Sequence, residues 1–284
     1  MDQQQITPPP SKDQGAGIDS VDQGETNYLW NVHRTLYIAV LFGSCLAAAA
    51  LATVLYLFDP HFLNLDQNDL SLLLVLMVLA VPPVIMNINA RMKAHREFIA
   101  HMADVLGLSY SPDAPYASVS GTFFSLGYGQ RLFNVLSGMY KENPVRIFDY
   151  VYMTGYGKSQ ETHPYTVFEL RYDAPLPHVL MNIPELIAPS DVERVKLEGD
   201  FNEKFKLYVS TGRQMEIREL FQPDVMQEFI DTFSSYVMEV SGDRVYLMRP
   251  GSLPSNRDEF VELISMIDHV IDNILPGLRA AAQS

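Results

Sequence analysis

The chain has 284 residues, a formal net charge of −14 and a single cysteine. An acidic balance is repelled by phosphate backbones, which excludes nucleic acid as a ready partner. One thiol excludes an intramolecular disulfide framework or a cysteine-based zinc site. The mean hydropathy of +0.01 averages two strongly apolar blocks with a charged remainder.

Residues 1–27, with their QQQ and PPP runs and Gly, Asp, Ser and Gln, have little to bury and are predicted to be a disordered tail. Residues 36–58, LYIAVLFGSCLAAAALATVLYLF, carry no charge and are long enough to cross a hydrocarbon core of about 30 Å as a helix. Residues 59–69, DPHFLNLDQND, contain no Lys or Arg and form a short loop. Residues 70–88 form a second uncharged apolar block, interrupted by Pro82 and Pro83, which lack a backbone donor and would bend a helix. These blocks predict a two-helix transmembrane hairpin. His33 and Arg34 precede it, and Arg91, Lys93 and Arg96 follow it. The positive-inside rule then places both termini in the cytoplasm and the loop outside, as in a multi-pass protein of a bacterial inner membrane. Arg91, Lys93 and Arg96 are expected to touch anionic lipid headgroups, so the lipid bilayer is the first expected partner.

A juxtamembrane helix is predicted over 89–107, with Phe98, Ile99, Met102, Val105 and Leu106 at helical spacing and Gly107 as its stop. A domain of residues 120–284 follows. FNVLSGMY, VRIFDYVYM, YTVFELRY, HVLMNI and KFKLYVS are rich in β-branched and aromatic residues and read as strands, with KENP as a turn. In the second run, Arg146, Phe148, Tyr150 and Tyr152 alternate onto one face. PDVMQEFIDTF reads as an amphipathic helix, YVMEVSGDRVYLM as a hairpin turning at Gly242 and Asp243, and the last helix begins near Asn256 or Arg257. The expected fold class is α+β: a cytoplasmic domain of mainly antiparallel sheet with packed amphipathic helices, behind the transmembrane hairpin.

No complete catalytic motif is present. GYGKSQ holds a GKS triplet, but a phosphate loop needs a glycine where Tyr152 stands and a helix where a strand follows. The histidines His101, His163, His178 and His269 lie in no metal-binding spacing, and no cofactor is expected. Glu198, Asp200 and Glu203 alternate with Lys196, Lys204 and Lys206, the pattern of a solvated mixed-charge surface. The loop between the second and third strands, Thr154, Gly155, Tyr156, Gly157, Lys158, Ser159, Gln160, Glu161, Thr162 and His163, is the candidate interaction surface.

The runs NVLSGMYKENPVRIFDYVYMTGYGKSQETHPYTVFEL, LPHVL and LEGDFNEKFKLYVSTGRQMEIRELFQPDVM resemble a bacterial family of two-span membrane proteins catalogued as a domain of unknown function. The resemblance covers about residues 128–233 and is most distinctive over 148–158 and 197–205. It implies an inner-membrane hairpin followed by a soluble domain. It implies no activity and no catalytic residue.

Two functions fit these observations. One is a membrane-anchored binding or scaffold module with an unidentified protein partner. The other is a membrane-associated enzyme, such as a hydrolase, built on Glu198, Asp200 and Glu203 with His163 or His178. The absence of a complete catalytic motif favours the first.

Overall fold

The structure is a computed structural model. It describes residues 69–172, 176–184 and 189–277, together with residues 38, 42–47, 49, 50 and 53. The chain divides into two compact units, 1–98 and 99–284.

The second unit is built on one nine-stranded sheet. In chain order the strands are β1 (Ser109–Ala114), β2 (Tyr128–Tyr140), β3 (Asn143–Thr154), β4 (Glu161–Arg171), β5 (Val179–Met181), β6 (Val192–Val195), β7 (Leu207–Ser210), β8 (Val237–Ser241) and β9 (Arg244–Pro250). Their spatial order is β1-β2-β3-β4-β9-β8-β5-β7-β6, and every adjacent pair is antiparallel. The helices are α1 (Asp69–Val105), α2 (Phe201–Lys204), α3 (Gln214–Leu220), α4 (Pro223–Thr232) and α5 (Arg257–His269), the last running into a π-helical turn at Val270–Ile274.

The fold class is therefore corrected. In place of an α+β domain behind a transmembrane hairpin, the described chain is a large antiparallel sheet with few helices. The physical reason lies in strand length. Runs that read as short strands separated by turns are parts of β2, β3 and β4, which have 13, 12 and 11 residues. His163 and Pro164, read as the end of a loop, are paired with Tyr152 and Val151 inside β4. Pairing of β4 with β9 begins only at Tyr165, so Pro164 lies where the strand has a single neighbour, a position that tolerates a missing donor.

The transmembrane hairpin is corrected as well. Among the described residues, no helix is long and apolar enough to cross a membrane. The predicted second span, 70–88, is not a bounded apolar segment. It continues without a break through Arg91, Lys93 and Arg96 as the 37-residue helix α1. The structure thus does not support the multi-pass inner-membrane placement with cytoplasmic termini. Most of the predicted first span, 36–58, the tail at 1–27 and nearly all of the loop at 59–69 lie outside the described residues.

Both faces of the sheet are covered. On one face Arg146, Phe148, Tyr150 and Tyr152 of β3 stand beside Glu169, Val167, Tyr165 and His163 of β4, and the row continues through Tyr246 and Met248 of β9 to Glu239 and Val237 of β8. The segment between β1 and β2 packs over this face, with Val119, Phe123 and Phe124 in its core. Phe123 and Phe124 are fully buried, which stabilises the segment by roughly 1.5–3 kcal/mol for each ring. Their rings meet Tyr165 at 5.0 Å and Tyr246 at 4.8 Å in edge-on geometry.

On the opposite face the sheet meets α5. Tyr140 at the end of β2 donates to Asp268 of α5 at 2.8 Å. Asp149 of β3 accepts from the Leu253 backbone N–H and from Asn134 Nδ2. Phe201, Phe205, Phe221, Phe229 and Phe233 form a continuous aromatic chain through α2, the segments flanking α4, and α4 itself. Asn256 caps α5 by accepting from the Glu259 N–H at 2.9 Å.

Candidate functional site

The predicted interaction loop is the tip of the β3–β4 hairpin. Gly155 has a φ of 68°, and a Cβ added there would lie 2.1 Å from the Ser159 carbonyl oxygen, so the turn requires glycine. Gly157–Ser159, the GKS triplet, forms a single 3₁₀ turn between two antiparallel strands. Ser159 Oγ donates to the Tyr156 carbonyl, and Thr154 Oγ1 bonds His163 Nε2 at 2.7 Å. The side chain of His163 also stacks on Tyr152. Tyr156 is 81% exposed, yet its ring lies parallel to Tyr128 at 5.2 Å and 5°. Tyr128 is held in turn by donating its hydroxyl to the Gly155 carbonyl at 2.7 Å.

A second constellation crosses the sheet face under the 115–125 segment. Glu169, 1% exposed, accepts from Arg146 Nε at 2.7 Å and from Arg146 Nη2. Its Oε1 lies 3.1 Å from Arg244 Nη1 and 3.7 Å from Arg171 Nε, but it accepts no aligned hydrogen bond. Both partly buried guanidiniums also hold the covering segment. Arg146 donates to Ser118 Oγ and to the Ser118 carbonyl, and Arg244 donates to the same carbonyl at 2.7 Å. A shallow depression of about 230 Å³ opens beside Arg146, Glu169 and Arg171.

Further along the same face, Glu239 is fully buried and accepts from the backbone N–H groups of Thr122 and Phe123. Gly121 makes this approach possible, since a Cβ there would lie 2.8 Å from the carboxylate. His178 Nε2 stands 3.6 Å from Glu239 Oε1, an ion-pair distance too long for a hydrogen bond, and Nδ1 stands 3.5 Å from the exposed Asp191. The Glu239 carboxylate is the main cause that raises the His178 pKa above its ordinary value; burial opposes it and Asp191 adds to it. The His178 backbone is pinned to Ser210 in both directions at 2.9 Å. Burial pushes the Tyr150 and Tyr246 phenols up, so Tyr150 remains a donor to the Phe124 carbonyl.

The other sequence candidates lie apart from this network. Arg91, Lys93 and Arg96 are exposed on α1, with Lys93 3.7 Å from Glu97. Glu198, Asp200 and Glu203 are exposed around α2, where Asn202 holds the loop by accepting from the Leu197 N–H. His163 bonds Thr154, and His178 lies at ion-pair distance from Asp191 and Glu239; among the described residues no hydrogen bond or ion pair joins either histidine to Glu198, Asp200 or Glu203. Among the described residues, no group of three or more His, Cys, Asp or Glu side chains is placed to hold a metal ion.

Sequence reasoning missed Glu169, Glu239 and Arg244. A signal existed: TVFELRY and VMEVS each place one acid directly between two apolar residues of a strand-like run, and a charge buried there must be paired.

No family model matches the chain, and no curated protein does. Among solved structures it is similar to the crystal structure of the mycobacterial trehalose monomycolate transport factor A, TtfA. The identity is 15%, the TM-score 0.47, and the match covers 65% of this chain and 96% of that one. A likeness this distant carries no argument about activity.

Proposed function

We propose that the chain is a binding or scaffold module that docks a protein partner through the hairpin tip at 154–163, with Tyr156 as its anchor. One observation carries this reading: Tyr156 is the most exposed large hydrophobic residue among those described in the sheet unit, and it is nonetheless held flat against Tyr128. An aromatic side chain that is already ordered loses little rotamer freedom on binding, and such residues dominate interface energetics. The resemblance of residues 128–233 to a family of unknown function belongs to the same proposal and adds no activity. Arg91, Lys93 and Arg96 supply a second contact, to anionic groups of a lipid surface, worth about 1 kcal/mol for each cation. The enzyme reading is not preferred, because no hydrogen bond or ion pair joins the carboxylates and histidines it needs among the described residues.

The test is a photo-cross-linking residue at position 158 in the full chain in cells, with a control at position 213. A single partner captured in stoichiometric amounts at 158, absent at 213 and lost in Tyr156→Ser, is the expected result. Capture of nothing, or of the same species from both positions, overturns the proposal. Capture of lipid rather than protein at 158 also overturns it and transfers the function to a lipid-related ligand.

A further inference from the structure

We infer that the depression beside Arg146 and Arg171 is a binding site for a small oxyanion, a phosphate or carboxylate group. The chain is acidic overall, at −14, yet the sheet register gathers three arginines around one carboxylate. Arg171 stands directly opposite Arg244, and Glu169 directly opposite Arg146. Like charges placed opposite each other in a sheet repel, and their arrangement needs a counter-charge. Glu169 supplies one and Asp243, 3.6 Å from Arg244 Nε, supplies a second. Within this set of five groups, one positive charge is left over.

The surplus falls at the open edge. Arg146 is held on Glu169 and Ser118, and Arg244 on Ser118 and Glu169. Arg171 is the looser member. Its side chain is 52% exposed and its approach to Glu169 is 3.7 Å, beyond hydrogen-bond reach. The guanidinium fork of Arg171 is thus available for two-point recognition of an oxyanion, and the fixed charge of Arg146 lines the same depression. The volume of about 230 Å³ is below that of pockets for drug-sized ligands and suits a single anionic group. Glu169 has two consequences: it fixes the Arg146 guanidinium, and its own charge limits how tightly the anion is held.

This site does not depend on the hairpin proposal. It lies where Val145 pairs with Leu170, and the hairpin tip begins where Thr154 pairs with Glu161. At about 3.3 Å per residue, the two ends of the ladder are roughly 30 Å apart.

The group could be carried by a free phosphate or by a phospholipid headgroup. The test titrates the full chain at low salt with inorganic phosphate and, separately, with vesicles of phosphatidylcholine containing phosphatidic acid. The variants are Arg171→Gln and, as a surface control, Arg131→Gln. Saturable phosphate binding that weakens about tenfold or more in Arg171→Gln, and not in Arg131→Gln, supports a site for the free anion. Vesicle binding with the same variant dependence and no phosphate binding supports a headgroup site. Binding that Arg171→Gln leaves unchanged, or no binding to either probe, overturns the inference. Because Arg171 is half-exposed, its variant folds with an unchanged denaturation midpoint, which is checked alongside.

Discussion

His178 and Glu239 face each other across 3.6 Å at the point where a fully buried carboxylate meets an imidazole with access to solvent. The carboxylate is the mooring of the 115–125 segment, through the N–H groups of Thr122 and Phe123. Removing it strands two backbone donors and a histidine. Glu239→Ala is expected to destabilise the sheet unit by roughly 3–5 kcal/mol, the range for breaking a buried charged pair. Glu239→Gln, whose amide oxygen can still accept, is expected to lose less. Urea denaturation of the two variants checks both the size and the order.

The same pair makes stability depend on pH with a definite sign. The folded pKa of His178 is raised above the ordinary 6.5, chiefly by Glu239. A raised histidine contributes its stabilisation fully below the unfolded value and loses it as pH rises through the folded one. The wild-type denaturation midpoint is therefore expected to fall as pH rises from about 6.5 into the alkaline range. In His178→Gln this component of the slope should be absent. Parallel slopes for the two proteins would remove the assignment.

Gly121 has a φ of +145° and no room for a side chain beside Glu239. Gly121→Ala combines an unfavourable backbone conformation with a steric conflict and is expected to cost roughly 1–3 kcal/mol. Part of that cost comes from the carboxylate itself. A double-mutant cycle with Glu239→Ala should then show the glycine substitution costing less in the second background, and strict additivity would refute the contact.

Arg146 contacts Glu169 with two nitrogens and Ser118 with two more hydrogen bonds. Arg146→Ala should lose about 3 kcal/mol, toward the lower end for a buried pair because Arg244 remains beside the carboxylate. Arg146→Lys keeps the charge but cannot reproduce the fork, so it should recover only part of the loss. Thermal denaturation of both variants decides.

Local chemistry was legible in the sequence wherever one residue imposes it. Gly107 ends α1 at a φ of 69°, Asn256 caps α5, and Gly242 turns the β8–β9 hairpin, as the local patterns require. The face formed by Arg146, Phe148, Tyr150 and Tyr152 followed from the two-residue period of a strand, and the register confirms it. The extent of the strands was less legible. Prolines and loop-like runs mark possible breaks, but long-range pairing carries β4 through Pro164 regardless. The apolar block at 70–88 misled for a related reason: a run of apolar residues sets a local preference, and the single helix of which it is a part sets where that preference ends.

The candidate sites divide in the same way. An exposed loop with tyrosine, lysine and glycine is visible in one dimension, because turn chemistry is local. Its stack on Tyr128 is not, because the partner lies 28 residues earlier and meets it only through the β2–β3 pairing. Glu169 and Glu239 are separated by 70 residues, yet both lie under one covering segment because β9 pairs with β4 on one side and with β8 on the other. By itself the sequence determined the acidic balance, the strand faces and the local turns, which depend on composition, period and single-residue conformation. Only the tertiary structure decided which charges meet, since a buried charge is tolerated only beside its partner and that partner is chosen by sheet register.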